Sequence, residues 1–375
     1  MLDRQALLQL SRFRHSERPV VTLYLKVDRT SSEPKHAIRL KNLLAEVEAR
    51  RAEYGNAVWE GVQRDLERIA THVRDAYAQG AQHLAVFACG DELFETFSLP
   101  YELPNRIDLA PTPVLRPLFR QLQRYERYAA ALVTQRMSRL FFVTPDNVEE
   151  VLTLEDEIPP RHDQGGWAQA RLQRHHDEAV AHHLKRVADA IFELFQRRGF
   201  SGLVLFGTDE VTKALRGVLH PYVRDRVVAA TPLDIAATTK DVGQLTLSLA
   251  RERRRKRQQE LLDLFEGEVH RQSGRAVGGL RQVIAAVQQG QVQALLLQED
   301  YEASGGRCQQ CGALTTQVSG PCDYCGGAVE KVADMVEPLV AKGFQQGAEV
   351  VFLTGRGAQR LQPFGGVGAL LRFSP

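Results

Sequence analysis

Four cysteines in the last quarter of the chain form two pairs with the same internal spacing. They are Cys308, Cys311, Cys322 and Cys325, and a glycine follows each pair. Two C-x2-C knuckles supply the four thiolates of a tetrahedral zinc site, and the glycines let backbone N–H groups turn toward the sulfurs. Disulfide pairing is the competing interpretation, but close pairs at both ends of a short hairpin favour metal in a cytosolic chain. The sequence therefore predicts structural zinc in a ribbon at 308–325.

A double glycine, Gly165-Gly166, is the second segment whose residue types indicate a function. Gln164 precedes it and Trp167 follows it. Such a segment continues neither a helix nor a strand, so we expect an exposed loop tip. An indole offers one N–H donor, no acceptor and a large flat surface, which suits stacking on a nucleobase better than orienting a water molecule.

A long helix is predicted directly after this loop. Apolar residues recur at three- and four-residue steps from Ala168 to Arg198, and the first half of the run is rich in arginine and histidine. His175 and His182 are seven residues apart on one face, a separation of about 10 Å that is too long for one shared metal ion. We therefore expect the histidines to face RNA or solvent. No Ser–His–Asp or Cys–His signature of a nucleophilic enzyme is recognisable.

A second basic segment lies farther along the chain, where six of the seven residues from 251 to 257 are cationic. Charge runs of this kind are often solvated helix faces. Beside a basic helix, the run favours contact with RNA phosphates, which positions a protein without reading sequence. The residues predicted to make these contacts are Arg253, Arg254, Arg255, Lys256 and Arg257.

Composition places the chain among ordinary globular proteins. Its 375 residues are long for one core, and its net charge of +2 means that nucleic-acid contact has to come from local patches. No run approaches the length of a membrane span, and residues 1–14 lack the pattern of a signal peptide. We expect a cytoplasmic protein that binds neither membranes nor DNA.

Element patterns divide the chain into three predicted domains of α+β and α/β class. Residues 1–127 give strand, two helices, strand and strand, which is typical of a small α+β domain. Residues 128–268 alternate strands and helices around the glycine loop, and residues 269–375 form an α/β sandwich interrupted by the ribbon. The elements predicted in the third domain are helices at 276–289 and 331–346, strands at 294–298 and 349–353, and final strands near Leu361 and Leu370.

The glycine loop and its helix resemble a known family, the archaeal and eukaryotic class-one peptide chain release factors. That family carries Gly-Gly-Gln, a Ser-Ala-x-Arg-Phe-type segment and a long charged helix. Here the matching run is Gly165-Gly166-Trp167 continuing to Arg174, so Trp167 stands in place of the glutamine. The Thr-Ala-Ser-Asn-Ile-Lys-Ser and Tyr-x-Cys-x-x-x-Phe segments that read stop codons in the family are absent. The resemblance spans all three domains and implies an RNase-H-like middle domain.

The resemblance implies a factor that occupies the ribosomal A site, with elongation factor Tu or another translational GTPase as the candidate partner. Because the glutamine and the codon-reading segments are missing, we expect ribosome hibernation without peptide release and no enzymatic activity. The alternative is a rescue factor that hydrolyses or cleaves peptidyl-tRNA through Gln164 or a helix residue. A zinc-ribbon interaction module unrelated to ribosomes is a third possibility. The residues implied to contact rRNA at the peptidyl-transferase centre are Gln164, Gly165, Gly166, Trp167, Arg171 and Arg174.

Overall fold

The computed structural model describes residues 4–27, 35–159 and 169–373. It shows helices combined with several antiparallel and mixed sheets, which confirms the predicted α/β and α+β class. The chain divides into two compact units: Met1–Gln123 together with Gln258–Pro375, and Arg124–Arg257. The boundaries of the three domains inferred from the sequence stay predictions.

The amino-terminal segment folds as an antiparallel sheet between two layers of helices. Its elements are α1 (Arg4–Arg12), β1 (Val20–Lys26), α2 (Lys35–Glu48), α3 (Asn56–Ala78), β2 (His83–Cys89), β3 (Leu93–Leu99), β4 (Arg106–Ala110) and α4 (Arg116–Arg124). The strand order is β3-β2-β1-β4. Alternate residues of β1 enter different cores, since Leu23 packs with α2 and α3 whereas Tyr24 packs with α1 and α4. Strand β1 is therefore buried on both of its faces.

Residues from the other end of the chain complete the second of these cores. Leu7 and Phe119 belong to the same buried cluster as Leu339 and Phe344, and the rings of Phe119 and Phe344 are 4.8 Å apart. Both ends of the sequence therefore build one hydrophobic core.

Glu337 of the carboxyl-terminal segment forms hydrogen bonds with the start of α4 in this shared core. Its carboxylate is buried and accepts the backbone N–H groups of Leu115 and Arg116, the latter at 2.9 Å. The N–H groups at the start of α4 have no acceptor within the helix, so the carboxylate caps the helix. A negative charge there also interacts favourably with the positive end of the helix dipole. Burial raises the pKa of Glu337 to about 7.

The middle segment is a five-stranded mixed sheet with helices on both faces. Its elements are β5 (Tyr128–Val133), β6 (Met137–Val143), β7 (Val148–Glu155), α5 (Gln169–Arg198), β8 (Gly202–Phe206), α6 (Asp209–Val218), α7 (Pro221–Arg224), β9 (Val227–Thr231) and α8 (Thr239–His270). The strand order is β7-β6-β5-β8-β9, with antiparallel pairing from β5 to β7 and parallel pairing from β5 to β9. This is the arrangement of an RNase-H-like sheet. Helices α5 and α6 cover one face, and the first half of α8 covers the other.

The carboxyl-terminal segment contains a second mixed sheet and the ribbon. Its elements are β10 (Ala276–Gly278), α9 (Leu280–Gln288), β11 (Val292–Gln298), β12 (Gly305–Cys308), β13 (Leu314–Thr315), β14 (Val329–Val332), α10 (Val336–Gln345), β15 (Glu349–Leu353), α11 (Gly355–Leu361) and β16 (Val367–Leu371). The main sheet has the order β10-β16-β11-β15, and the ribbon has the order β13-β12-β14.

Three predicted elements of this segment differ from the structure. The helix predicted over 276–289 begins as strand β10, and Gly279 at φ +86° turns the chain before α9 starts. The helix predicted over 331–346 starts only at Val336, because the preceding residues pair with β12. The strand predicted near Leu361 is wrong: that residue ends helix α11, and it is fully buried in a core cluster with Leu296 and Leu370. None of the described helices has the length and apolar composition needed to cross a lipid bilayer.

Candidate metal centre and nucleic-acid interface

The ribbon brings the four predicted cysteines into one cluster. Their Sγ atoms all lie within 4.8 Å of one another, with 3.4 Å between Cys308 and Cys325 and 3.7 Å between Cys311 and Cys322. Zinc–sulfur bonds of about 2.3 Å in a tetrahedron place the sulfurs about 3.8 Å apart. The donor set and its size therefore fit a tetrathiolate metal site.

The two knuckles have the same backbone geometry. Gly312 N–H donates to the Cys308 carbonyl at 3.0 Å, and Gly326 N–H donates to the Cys322 carbonyl at 2.9 Å. Both glycines have φ near +70°, at +72° and +74°, which a residue with a Cβ adopts only with strain. The N–H of Cys311 points at the sulfur of Cys308, at 3.4 Å, and this hydrogen bond lowers the pKa of Cys308 to about 6. The backbone is therefore arranged to hold thiolates.

Burial separates the cysteines into an inner and an outer pair. Cys308 and Cys322 are buried with Ala313 and Val329, whereas the outer two thiols are exposed. The thiols are free, so the disulfide interpretation finds no support in this geometry. If a metal ion were bound here, the four cysteines would fill all four positions of a tetrahedral site.

The basic run lies at the middle of α8 and is mostly exposed. Arg253, Arg255, Lys256 and Arg257 have exposed side chains. Arg254 instead turns inward, where its guanidinium makes an ion pair of 3.3 Å with Glu126. The helix thus presents four exposed cations within the five residues from 253 to 257.

On α5, Arg171 and Arg174 are exposed, as are His175 and His182. The loop residues Gln164, Gly165, Gly166 and Trp167 lie outside the part of the chain that the structure describes. Two other histidines of α5 are buried, so the prediction that the helix histidines face RNA or solvent is wrong for His176 and His183.

His183 takes part in a Ser–His–Asp constellation that the sequence did not reveal. Its Nε2 lies 2.8 Å from Ser138 Oγ, and its Nδ1 lies 2.5 Å from Asp156 Oδ2. A nucleophile needs an exposed hydroxyl, whereas Ser138 is fully buried and sits between Val133 and Leu154 in the sheet. The three residues therefore form a structural clamp.

The clamp holds α5 against the chain that leaves β7. Asp156 directly follows that strand and also binds the guanidinium of Arg186, and its hydrogen bond with His183 lowers the pKa of Asp156. Three residues after Asp156, the carbonyl of Pro159 accepts a hydrogen bond of 2.7 Å from His176 Nδ1. Sequence spacing gave no signal for these contacts, because the partners come from different elements.

Replacing His183 by alanine is expected to lower the free energy of unfolding by about 2–4 kcal/mol, since it leaves buried polar partners unpaired and opens a cavity. Urea unfolding of the full chain measures this loss. His182→Ala is the matched control, because that neighbour is exposed and should change stability by less than about 0.5 kcal/mol. Equal losses in the two variants would show that the clamp contributes nothing.

Two models of known protein families match adjoining parts of the chain and together span most of it. Residues 113–251 match the model described as bacterial archaeo-eukaryotic release factor family 10. Residues 256–375 match domain 3 of eRF1. The chain is an archaeo-eukaryotic release factor-like protein. The first match contains the glycine loop, α5 and the start of α8, and the second contains the four cysteines.

Curated relatives of the release factor-like protein include archaeal factors. Peptide chain release factor subunit 1 of Methanobrevibacter smithii is 24% identical over 281 residues, covering 69% of this chain and 68% of the relative. The protein of the same name from Methanococcoides burtonii is 25% identical over 287 residues, covering 69% of each chain.

Two solved structures are similar to the release factor-like protein at low sequence identity. Dom34 of S. cerevisiae, described as a translation termination-like factor, is 12% identical with a TM-score of 0.46, covering 78% of this chain and 79% of its own. Archaeal Pelota in a ribosome-bound model with ABCE1 is 16% identical with a TM-score of 0.42, covering 99% and 94%.

Proposed function

We propose that the release factor-like protein binds the ribosomal A site and reaches the peptidyl-transferase centre with residues 164–167, without releasing peptide. The observation that carries this proposal is Trp167, which occupies the position of the family's glutamine. A tryptophan retains the ability to stack on rRNA bases but offers no acceptor for a hydrolytic water. The protein would then occupy idle ribosomes in the cytoplasm and protect them, as a hibernation factor.

Two exposed cationic surfaces support rRNA contact. Arg171 and Arg174 lie near the start of α5, and Arg253, Arg255 and Lys256 lie on α8. Phosphate contacts of this kind supply affinity and orientation rather than sequence specificity. The contacts of Arg254 and Arg257 belong to the same proposal, with Arg254 also holding Glu126.

We also propose that the cysteine cluster binds structural zinc, because the sulfur separations and the four-sulfur donor set fit that ion. Bound zinc would cross-link the strands of the ribbon and supply no catalysis. The expected delivery partner is elongation factor Tu or another translational GTPase, as the family resemblance implies.

Cosedimentation with purified vacant ribosomes at physiological salt tests the proposal. Replacing Arg253, Arg255 and Lys256 together by glutamine should weaken binding at least about tenfold and flatten its dependence on salt concentration. The matched control changes Lys213, Arg216 and Arg224, three exposed cations of α6 and α7, and should bind like the wild type. Failure of the wild-type protein to sediment with ribosomes would overturn the proposal.

The rescue alternative makes a different prediction from the same sequence. Gln164 lies on the other side of the glycines and is its candidate catalytic residue. Peptide release from purified peptidyl-tRNA complexes that is abolished by Gln164→Ala would favour rescue, whereas inert protein favours occupancy. A ribosome-independent interaction module would keep its binding when Gly165 and Gly166 are changed to valine.

A further inference from the structure

Arg307 is a half-buried cation for which the surrounding residues supply no hydrogen-bonding anion. It lies on β12, and its Nε is buried without a hydrogen-bond partner among the described residues. A buried donor left unpaired in this way is costly, and guanidinium stays protonated at any physiological pH. The site therefore carries a positive charge and one donor, Nε, that has no partner among the described residues.

The carboxylate closest in the strand ladder is already engaged by other groups. Glu330 is directly opposite Arg307 on β14. Its Oε1, however, accepts from Arg14 at 3.2 Å, and its Oε2 accepts from Gln309 at 3.4 Å. Glu330 thus neutralises one cation of the pair Arg14 and Arg307, and the second positive charge remains.

A third cation approaches from the other side of Arg307. Leu314 is opposite Arg307 on β13, and the carbonyl of Leu314 accepts from Gln288, whose Oε1 in turn accepts from Lys342. Lys342 is half-buried, and burial together with repulsion by Arg307 lowers the pKa of Lys342. Like charges are therefore crowded at this junction with one carboxylate between them.

The thiolate cluster does not account for Arg307. Successive strand residues point to opposite faces, so Arg307 projects away from the sulfur of its neighbour Cys308. Arg307 shares its face with Leu314, which packs into the core formed with α10.

We propose that Arg307, with Arg14 and Lys342 beside it, binds a phosphodiester group of RNA. The guanidinium fork fits two oxygens of one phosphodiester, and the three cations outnumber the single carboxylate, Glu330, that lies among them. Arg14 is exposed at the rim, so the site opens to solvent. The source of the phosphate, ribosomal RNA, rests on the proposed function, whereas the site itself does not.

Calorimetric titration of the full-length, zinc-loaded protein with inorganic phosphate tests the site without ribosomes. Wild-type protein should bind phosphate saturably at constant ionic strength, and Arg307→Gln should weaken that binding at least about tenfold. Arg307→Lys should restore part of the affinity, because it keeps the charge and loses the fork. Lys331→Gln removes the same charge from an exposed position of β14 and should bind like the wild type.

A second titration with a short RNA duplex identifies the source. Arg307→Gln should reduce the slope of log affinity against log salt by about 0.7–0.9, the value of one phosphate contact. An unchanged slope with impaired phosphate binding would overturn RNA as the ligand and indicate a free anion. Equal phosphate binding by the wild type and Arg307→Gln, or none by the wild type, would overturn the site. Neither readout involves the ribosome, so failure in cosedimentation would leave these results standing.

Discussion

Replacing Cys308 by serine is expected to abolish zinc binding and to lower the free energy of unfolding by at least about 3 kcal/mol, because metal-binding free energy in a closed site is folding free energy. The loss would spread beyond the ribbon. Leu314 of β13 belongs to the core that α9 and α10 build, so the ribbon strands support those helices. Elemental analysis and urea unfolding of the full chain measure the two effects.

Cys89→Ala is the control for the cysteine experiment. Cys89 is buried in β2, far along the chain from the knuckles, and its removal should leave the zinc content unchanged even if a small cavity lowers stability. One zinc ion per chain in both the wild type and Cys89→Ala, and none in Cys308→Ser, is the expected pattern. Full zinc content in Cys308→Ser, or a wild type that binds none, would contradict the metal site.

Replacing Glu337 by alanine should lower the free energy of unfolding by about 3–5 kcal/mol, because two N–H groups at the start of α4 would lose their hydrogen-bond acceptor. The damage should reach both ends of the sequence. Hydrogen exchange would show faster exchange in β1 and in β11, because their residues share one core. Asp334→Asn is the matched control: it keeps an oxygen acceptor for the N–H of Val336 and removes only the half-exposed ion pair with Arg116, which should cost less than about 1 kcal/mol.

The pH dependence of the same site has a defined sign. The pKa of Glu337 rises from the ordinary 4.5 to about 7 on folding, so the folded chain holds this proton more tightly than the unfolded chain. The contribution of protonated Glu337 to the free energy of unfolding is fully present at low pH and decreases as pH rises from about 4.5 to about 7. Glu337→Gln removes this term. A stability difference between wild type and Glu337→Gln that stays constant across this range would contradict the burial argument.

Local patterns in the sequence were sufficient for elements that short-range spacing determines. The two knuckles, the long helix α5 and the strands β1, β2 and β3 all follow from spacing within a few residues, and the structure contains each of them. The same reasoning mistook Leu361 for strand, because an isolated apolar residue between glycines carries no period.

Contacts between distant residues could not be predicted in this way. Ser138, Asp156 and His183 meet because a helix packs on a sheet, and no spacing rule joins them. Glu337 falls inside the helix predicted over 331–346, and nothing in the sequence marks it as buried; it is buried because α4, which comes from a distant part of the chain, lies against it. Burial of polar groups depends on tertiary packing, which periodicity alone does not encode.

The core shared by both chain ends also sets an order of events during synthesis. Leu7, Leu10 and Phe119 leave the synthesising ribosome long before Leu339 and Phe344, which complete their core. The middle segment has its own cores and can fold while those early apolar side chains still lack their partners. A nascent chain truncated before residue 336 therefore exposes one apolar face of its first sheet. Chaperone binding and aggregation should concentrate on that face until Leu339 and Phe344 have been synthesised and can pack against it.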